Sequence, residues 1–336
     1  MKVFIIAEAG VNHNGSMKLA KKLIDVAVES GADAVKFQTF KAENLVSKNT
    51  EKAEYQKKTT TASESQFDMI KKLELDIETH KELITYCLEK EIMFLSTPFD
   101  HDSINLLGDL GLEIFKIPSG EITNLPYLRH IGSLKKQVIL STGMSTLQEV
   151  EDALNILIST GTLRADITVL HANTMYPTPM DDVNLNAMLT MQIEFDVAIG
   201  YSDHTLGIEV DIAAVAMGAT IIEKHFTLDR NDGGVDSVFS LEPNELKSLV
   251  VETERAYHSL GGVFYASTQG EEKSKIFRRS LYIVKDMNAG DIFTKDNLKI
   301  MRPGMGLAPK HYENILGRKI KRSVKKGTAV NWEIFE

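Results

Sequence analysis

Val3-Phe4-Ile5-Ile6-Ala7 is an apolar run that ends abruptly in the carboxylate of Glu8. Seven further short, largely apolar runs follow along the chain, and each of them also ends in polar side chains. These terminal residues are Lys36 and Gln38, Ser96 and Thr97, Lys116, Ser141 and Thr142, His171, Ser202 with Asp203 and His204, and His225. Strands of a parallel sheet that is buried on both faces should be apolar throughout. Polar residues gathered at one end of so many strands therefore indicate an enzyme built on the carboxyl ends of a sheet.

Segments with helical spacing separate these runs. After Ser16, a plausible N-cap, Leu19, Leu23 and Val26 fall on one helical face. Four similar patterns are Leu83, Cys87 and Ile92 after an acidic start at Asp76 and Glu78; Val150 to Leu157 between Thr146 and Gly161; Val210 to Val215 before Gly218; and Leu246 to Ala256 before Gly261. Strand and helix thus alternate about eight times through residue 260, which predicts a closed (β/α)8 barrel. No Gly-x-Gly-x-x-Gly follows a strand, so a dinucleotide-binding fold has no support.

The pattern changes after Gly261, and we predict a barrel over residues 1–262, a polar linker over 263–276 and a second domain over 277–336. This last segment contains short β-rich stretches at 280–284 and 298–301, separated by turn sequences such as Asn288-Ala-Gly-Asp and Lys325-Lys-Gly. A mostly β domain of about 60 residues is near the lower size limit for folding alone. We therefore expect it to depend on another part of the molecule or on a partner.

Composition narrows the possible partners. The 336 residues carry a formal net charge of −9, which argues against nucleic acid, because phosphate backbones require a basic surface. No apolar stretch approaches the roughly 20 residues of a membrane span, and the first residues lack the features of a signal peptide. The single cysteine, Cys87, cannot form an internal disulfide, so we expect a reducing, cytoplasmic setting.

Two histidines form a candidate metal site. His204 ends the seventh predicted strand and His225 ends the eighth. Adjacent strands lie about 4.8 Å apart, so the two imidazoles can share one divalent cation and leave positions for water and substrate. The alternative is that each histidine only caps a loop.

Two lysines form a candidate anion site. Lys36 and Lys116 end the second and fourth predicted strands, and a buried ammonium needs a counter-charge. Ser119, Ser141 and the glycines beside them would complete a cradle for phosphate or carboxylate. Two alternatives remain: structural ion pairs of Lys36 with Glu8 or of Lys116 with Glu121, and a Schiff-base lysine as in lyases that act on pyruvate.

Three carboxylates complete this group of candidate site residues. Glu8 ends the first strand, Glu121 follows Ser119, and Asp236 lies in the loop after His225. Carboxylates that face histidines and lysines can bind sugar hydroxyls or move protons.

Ordered motifs along nearly the whole chain resemble the sialic acid synthase family, which covers N-acetylneuraminate, legionaminate and pseudaminate synthases. The motifs are Ala7-Glu-Ala-Gly-Val-Asn-His-Asn-Gly15, Lys36-Phe-Gln-Thr39, Phe115-Lys-Ile-Pro-Ser-Gly-Glu121, Ser141-Thr-Gly-Met144, Tyr176-Pro-Thr178, Tyr201-Ser-Asp-His204 and Glu223-Lys-His-Phe-Thr227. The segment with Asn288-Ala-Gly-Asp291 and Arg302-Pro-Gly-Met-Gly306 resembles that family's antifreeze-like (SAF) domain.

The resemblance implies a transferase that condenses phosphoenolpyruvate with an N-acylated mannosamine-type sugar. It implies a divalent cation, usually Mn²⁺ with Mg²⁺ or Co²⁺ as alternatives, and a domain-swapped homodimer. The implied roles are phosphoenolpyruvate binding by Lys36, Lys116, Ser119 and Ser141, metal binding by His204 and His225, sugar contacts by Glu8, Gln38, Tyr176 and Asp236, proton or water handling by Glu121, and a contact between Arg302 and the N-acyl group of the partner's substrate.

The chain departs from the family pattern at two places. Phe37 and Phe40 flank Gln38 where sialic acid synthases often carry histidines, which resembles the legionaminate branch, whose sugar lacks a 6-hydroxyl. The asparagine expected before Tyr176 is shifted, so either Asn173 or Thr174 could meet the phosphate. A Schiff-base aldolase that uses Lys116 or Lys36, and a non-enzymatic carbohydrate-binding protein with the barrel as scaffold, are the competing functions.

Overall fold

A computed structural model describes residues 2–48, 50–52, 64–262 and 265–335. The chain forms two compact units, Met1–Gly261 and Gly262–Glu336. In the first unit the strands are β1 (Phe4–Gly10), β2 (Ala34–Thr39), β3 (Met93–Pro98), β4 (Ile114–Ile117), β5 (Gln137–Ser141), β6 (Ile167–Ala172), β7 (Ala198–Asp203) and β8 (Ile221–His225). Its helices are α1 (Met17–Ser30), α2 (Ala42–Leu45), α3 (Gln66–Lys71), α4 (Ile77–Glu89), α5 (His101–Asp109), α6 (Leu125–Ser133), α7 (Leu147–Thr160), α8 (Asn186–Phe195), α9 (Glu209–Ala216) and α10 (Pro243–Ser259).

The eight strands form one parallel sheet in the order β3-β2-β1-β8-β7-β6-β5-β4. The pairing of β1 with β8 joins the first and last strands, with Glu8 opposite His225. Strands β3 and β4 are in contact, but no hydrogen-bonded ladder joins them among the described residues. The unit is therefore the predicted (β/α)8 barrel, with one junction that lacks backbone pairing.

Side chains alternate between the barrel interior and the surrounding helices, as the period of two requires. The lower interior is filled by an apolar layer of Ile6, Ala34, Leu95, Ile139 and Leu170. Residues of the opposite parity, such as Val35 and Phe37, pack against the helices in the larger core cluster. Whereas β6 carries Ala172 two residues further along, the interior positions of the other seven strands become polar there. These positions are Glu8, Lys36, Thr97, Lys116, Ser141, Ser202 and Glu223.

Helix boundaries follow local signals that the sequence makes visible. The hydroxyl of Ser16 accepts the amide of Leu19, and Thr146 forms a capping box with Glu149 at the start of α7. Both N-caps confirm the prediction. Ile92 does not belong to the predicted second helix, because α4 ends at Glu89 and Ile92 lies in the turn before β3. None of the described helices is long and apolar enough to cross a membrane.

The second unit has its own core. Strands β9 (Ser280–Ile283) and β10 (Leu298–Met301) pair antiparallel, and two short helices, α11 (Gln269–Ser274) and α12 (Tyr312–Ile315), accompany them. The buried residues of this core include Leu281, Ile283, Phe293 and Ile320. Part of the predicted linker is helical, because Thr268 and Glu271 form a capping box at the start of α11. The linker pattern missed this single turn and a half, which is too short to show periodicity.

Candidate active site

The polar layer at the top of the barrel contains an ionic network that links Glu8, Lys36, Glu223 and Lys116 in that order. Lys36 Nζ lies 2.7 Å from Glu8 Oε2 and 3.6 Å from Glu223 Oε2, while Lys116 Nζ lies 3.5 Å from Glu223 Oε1. Lys116 also donates to Ser141 Oγ at 2.8 Å. All four charged side chains are buried. Because strands β1, β2, β4 and β8 each supply one of them, only the assembled barrel creates this network.

The network pushes the pKa values of its two carboxyls apart. Burial raises the pKa of Glu8 to about 7, and the attraction of Lys36 only partly opposes this. Burial also acts to raise the pKa of Glu223, but Lys116 and Lys36 together outweigh it and lower that pKa to about 2. Glu223 is thus ionised at neutral pH, where Glu8 can take up or release a proton. Carboxyls separated in this way are suited to distinct electrostatic and acid–base roles.

The two lysines differ from each other as well. Burial acts to lower the pKa of Lys36, but the charges of Glu223 and Glu8 raise it overall. Burial lowers the pKa of Lys116, and the nearby charge of Lys36 adds to this effect.

His204 and His225 lie side by side at the carboxyl ends of the neighbouring strands β7 and β8, at the mouth of the barrel, with ring centroids 5.6 Å apart. His204 Nδ1 lies 2.7 Å from the carbonyl oxygen of Asn173, so Nδ1 carries the proton and Nε2 keeps its lone pair. Burial lowers the pKa of His204 to about 4 and that of His225 well below its usual value, so both rings are neutral at pH 7. In the part of the chain that the structure describes, no group of three or more His, Cys, Asp or Glu is placed to hold a metal ion.

The open space above the network has two adjoining compartments. The first, of about 310 Å³, is lined by the two lysines, the two histidines and the hydroxyl residues beside them. The second, of about 180 Å³, has apolar walls from α3 and from Phe40 and Val235, with Asp236 at its polar end. Gln38, Phe99, Tyr176 and His225 line both compartments and form the boundary between them.

The structure is similar to solved structures of enzymes that make sugar acids, and the sequence is similar to curated relatives. Residues 23–265 match the NeuB family, and residues 278–336 match the SAF domain. The chain belongs to the NeuB family. It is 52% identical to N,N'-diacetyllegionaminic acid synthase of Campylobacter jejuni over 96% of this chain and 97% of that protein. The identity to N,N'-diacetyllegionaminic acid synthase of Legionella pneumophila is 46%, over 100% of this chain and 95% of that protein.

Among solved structures, N-acetylneuraminic acid synthetase from Leptospira borgpetersenii, in complex with citrate, superposes with a TM-score of 0.72. It is 36% identical in sequence, and the match covers 82% of this chain and 90% of that one. Both the fold predicted from the strand ends and the resemblance to the sialic acid synthase family are therefore confirmed.

Glu223 is the residue of this NeuB-family site that the sequence reasoning missed. It precedes Lys224 and His225 inside the eighth strand, where its interior position follows from alternation with His225. Ser202 Oγ donates to Glu223 Oε1 at 3.1 Å, so three strands converge on this carboxylate. The available signal was a charged residue two positions before a candidate ligand in a buried strand.

Most of the predicted site residues come together around the first compartment. Those that line it are Glu8, Lys36, Gln38, Lys116, Ser119, Ser141, Asn173, Thr174, Tyr176, His204 and His225. Asp236 lines the second compartment, and burial raises its pKa to about 7. Tyr176 packs its ring 4.3 Å from His204 and 5.2 Å from Phe239.

One predicted residue, Glu121, lines neither compartment, and another, Arg302, belongs to the second unit. The carboxylate of Glu121, in a 3-10 turn over Ser119–Glu121, accepts the side-chain amide of Asn124 at 2.6 Å and does not line the described compartments. Arg302 belongs to the second unit and is exposed directly after β10. The alternative pairing of Lys116 with Glu121 is wrong, since Lys116 contacts Glu223 instead. The alternative pairing of Lys36 with Glu8 is present.

The departures from the family pattern also have structural positions. Phe40 lines the second compartment, whereas Phe37 points to the helices and stacks on Phe94 at 5.7 Å. Asn173 and Thr174 both line the first compartment, but the side-chain amide of Asn173 already donates to the carbonyl of Asp182 at 2.8 Å. The second N–H of that amide is not used by this bond, so both residues remain candidates for the contact with phosphate.

Gly143 explains why the first compartment is open beside the hydroxyls. A Cβ atom at this position would lie 2.7 Å from Thr174 Cγ2 and 3.1 Å from Ser119 Oγ. A side chain would therefore displace two of the side chains that border the lysines. Because Gly143 has no side chain, there is room beside the hydroxyls for a group of phosphate or carboxylate size.

Proposed function

We propose that this protein condenses phosphoenolpyruvate with an N-acylated mannosamine-type sugar to give a nonulosonic acid and phosphate. The single observation that carries the proposal is the buried network of Lys36, Lys116, Glu8 and Glu223 beside two neutral histidines at the carboxyl ends of the strands. The related legionaminic acid synthases support the same reaction class.

Phosphoenolpyruvate binds in the first compartment, held by Lys36, Lys116, Ser119 and Ser141. The lysines carry the charge that its phosphate and carboxylate need, and the hydroxyls supply hydrogen bonds. Within the network, Glu8 and Glu223 balance the charges of the two ammonium groups. A bound anion therefore competes with these two carboxylates for the lysines.

The residues present fit a divalent cation held by His204 and His225. His204 presents Nε2 with its lone pair, because Nδ1 is committed to the Asn173 carbonyl. Nδ1 of His225 is buried and has no hydrogen-bond partner among the described residues. Such a cation, with Mn²⁺ the first choice and Mg²⁺ or Co²⁺ the alternatives, supplies Lewis acidity toward the aldehyde oxygen of the open-chain sugar.

The sugar then extends from the histidines into the second compartment, past Gln38 and Tyr176 toward Asp236. C3 of the enol phosphate attacks the aldehyde carbon, and the aldehyde oxygen takes up a proton. Glu8 is suited to deliver that proton, because its pKa of about 7 leaves it partly protonated at neutral pH. Asp236, with a similar pKa, is suited to hold a hydroxyl or amide of the sugar.

Formation of the carbon–carbon bond leaves positive charge at C2, and the anionic Glu223 lies in the compartment where this charge develops. Water adds to C2 and loses a proton to a nearby base, and the tetrahedral intermediate expels phosphate by cleavage of the C–O bond. Glu121 is our sequence-based candidate for the water-handling residue. Its carboxylate accepts a hydrogen bond from the Asn124 amide, so it has to turn toward the substrate to act.

The apolar second compartment favours a sugar of the legionaminate type. Its walls include Phe40, Met69, Ile70 and Leu73. A 6-deoxy sugar with a 4-acetamido group presents methyl groups to these walls, whereas N-acetylmannosamine presents hydroxyls that would lose hydrogen bonds to water. The identities of 52% and 46% to the two N,N'-diacetyllegionaminic acid synthases support the same choice.

We further propose that the protein acts in the cytoplasm as a domain-swapped homodimer in which Arg302 of one subunit contacts the N-acyl group in the other. The exposure of the Arg302 side chain supports this, since it is free to reach a substrate outside its own unit. Sedimentation equilibrium tests the dimer.

The reaction is tested by measuring phosphate release from phosphoenolpyruvate with Mn²⁺. N-Acetylmannosamine is compared with 2,4-diacetamido-2,4,6-trideoxymannose. We expect release with the second sugar to be faster, and EDTA to abolish both. Absence of release with either sugar would contradict the proposal and return the function to the aldolase or the carbohydrate-binding protein.

One observation favours the Schiff-base aldolase as a second candidate. The lowered pKa of Lys116 is what an amine nucleophile requires. Borohydride trapping with pyruvate separates the two mechanisms. A covalent adduct on Lys116 would support the aldolase, whereas sensitivity to chelators without an adduct would support the synthase.

A further inference from the structure

A buried ion pair lies on the outer face of β7 and β8, on the side away from the substrate compartments. Asp203 and Lys224 are register partners on these two parallel strands. Lys224 Nζ donates to Asp203 Oδ2 and, at 2.8 Å, to the carbonyl oxygen of Thr205. Both charged side chains are 1% exposed or less.

This pair stands back to back with the candidate metal ligands. Ser202 and Glu223 are the preceding register partners and bond to each other inside the barrel. Because strand side chains alternate, the residues that follow, Asp203 and Lys224, point outward. His204 and His225 come next and lie side by side at the barrel mouth, with 5.6 Å between their ring centroids. Each member of the outer pair is therefore the chain neighbour of one histidine.

Asp203 also holds the turn that carries His204. Its Oδ1 accepts the backbone amide of Thr205 at 2.8 Å, and its Oδ2 accepts the hydroxyl of the same residue at 2.9 Å. Together with the bond from Lys224 to the Thr205 carbonyl, three hydrogen bonds fix the residue that directly follows His204. On its other side, His204 follows Asp203 itself.

Stability alone does not account for this arrangement. Removing an ion pair from water is costly, and well-packed apolar residues often serve a core as well or better. A second acid, Asp211 of α9, lies 3.6 Å from Lys224, and neither of its oxygens has a hydrogen bond among the described residues. Burial of this cluster therefore costs folding free energy. A buried ion pair can specify register in addition to the hydrophobic pattern, and a slip of one residue would turn His225 to the outer face.

We propose that Asp203 and Lys224 are positioning residues for the metal site. Their ion pair holds β7 and β8 in the register that brings His204 and His225 together, and so sets the affinity of the two histidines for a divalent cation. This inference rests on the proposed function, which assigns the cation to these histidines.

The test is the dissociation constant for Mn²⁺, measured on the full-length apo protein by electron paramagnetic resonance of the free ion. In the double variant Asp203→Asn/Lys224→Met, the asparagine oxygen can still accept the Thr205 amide, but both charges are gone. We expect Mn²⁺ binding to weaken about tenfold or more, in the range for lost outer partners of metal ligands. The affinity for phosphoenolpyruvate without metal, measured by calorimetry, should not change, because Lys36 and Lys116 lie on β2 and β4.

Asp211→Asn is the matched control, since it removes a buried acid of the same cluster that does not adjoin a histidine. It should leave Mn²⁺ affinity at the wild-type value. Thr205→Val is nearly isosteric and tests the same turn if the double variant does not fold; we expect a several-fold loss of Mn²⁺ affinity. Wild-type affinity in the folded double variant, or in Thr205→Val when the double variant does not fold, would overturn the inference, as would an equal loss in Asp211→Asn.

The same measurement separates failure of this inference from failure of the proposed function. A wild-type protein that binds no Mn²⁺ would overturn both the metal site and the role of the outer pair. A wild-type protein that binds Mn²⁺ with variants of equal affinity would overturn only the role of the outer pair.

Discussion

Glu223 is the carboxylate that the two buried lysines share, at 3.6 Å from Lys36 and 3.5 Å from Lys116. Lys116 and Lys36 lower its pKa to about 2, which keeps it negative at neutral pH. If the two lysines bind phosphoenolpyruvate as proposed, a fixed negative charge between them weakens substrate binding but stabilises positive charge that develops during the reaction. The residue is therefore expected to affect turnover rather than binding.

Replacing Glu223 with Gln tests this role. We expect kcat to fall about 100-fold, as for other lost electrostatic stabilisers. The KM for phosphoenolpyruvate should stay level or fall, since the lysines lose a competing charge. Steady-state phosphate release measures both constants. Glu113→Gln is the control, because Glu113 also pairs with a lysine, Lys136, but is exposed. A raised KM with unchanged kcat would contradict the assignment.

His13 illustrates a buried side chain outside the reaction. Its Nδ1 accepts the amide of Gly15 at 3.0 Å, and its Nε2 is buried without a partner among the described residues. Burial lowers its pKa from 6.5 to about 4. The unfolded chain thus binds a proton at higher pH than the folded protein does, and stability must fall as the pH drops from 6.5 to 4.

We expect this one residue to remove about 3 kcal/mol of stability across that interval, at about 1.4 kcal/mol for each unit of pKa shift. Urea unfolding of wild type and His13→Gln at pH 7 and at pH 4.5 measures the effect. The variant should lose less stability between the two pH values than wild type does. Parallel losses in the two proteins would show that His13 is not the group that titrates.

At the scale of elements, the alternation of each strand separates packing from chemistry. Interior positions are apolar at the lower level of the barrel and mostly polar two residues later, while most outward positions are apolar and pack on helices; the charged pair of Asp203 and Lys224 is an exception. Helix α3 contributes to the second compartment, because its residues Met69 and Ile70 form part of the apolar wall. We expect this wall to select the sugar.

Met69→Gln keeps the side-chain length and adds an amide to the wall. The preference for the 6-deoxy, 4-acetamido sugar over N-acetylmannosamine, as a ratio of kcat/KM values, should fall about tenfold. The KM for phosphoenolpyruvate should not change. Leu88→Gln, at an exposed position of α4, is the control. An unchanged sugar ratio in Met69→Gln would remove α3 from the determinants of specificity.

At the scale of the whole molecule, charge is divided unequally between the two units. Residues 262–336 contain 15 Lys and Arg against 8 Asp and Glu, a net charge of +7. Since the whole chain carries −9, residues 1–261 carry −16. The overall acidity thus conceals a basic second unit, and Arg302 belongs to this basic part.

Arg302→Ala tests the contribution of the second unit to the site. We expect the KM for the sugar to rise about tenfold, in line with the loss of a charge-assisted hydrogen bond to the N-acyl group. The KM for phosphoenolpyruvate should be unchanged. Arg322→Ala removes an exposed arginine of the same unit and is the matched control. Equal changes in both variants would mean that the general charge of the unit matters and not Arg302 in particular.

The sequence alone predicted the barrel, the end of the barrel at which the polar side chains gather, and most of the charged and histidine residues that line the first compartment. Strand alternation and burial force polar side chains to the strand ends, and helix caps such as Ser16 and Thr146 are local hydrogen bonds that short segments encode. The reach of Arg302 to a partner stays a prediction. The sequence offered the pairing of Lys36 with Glu8, but the role of Glu223 as the carboxylate shared by both lysines was decided by tertiary structure alone. Glu223 is more than 100 residues from both lysines in the chain, and their contacts exist only because the pairing of β1 with β8 brings the last strand beside the first.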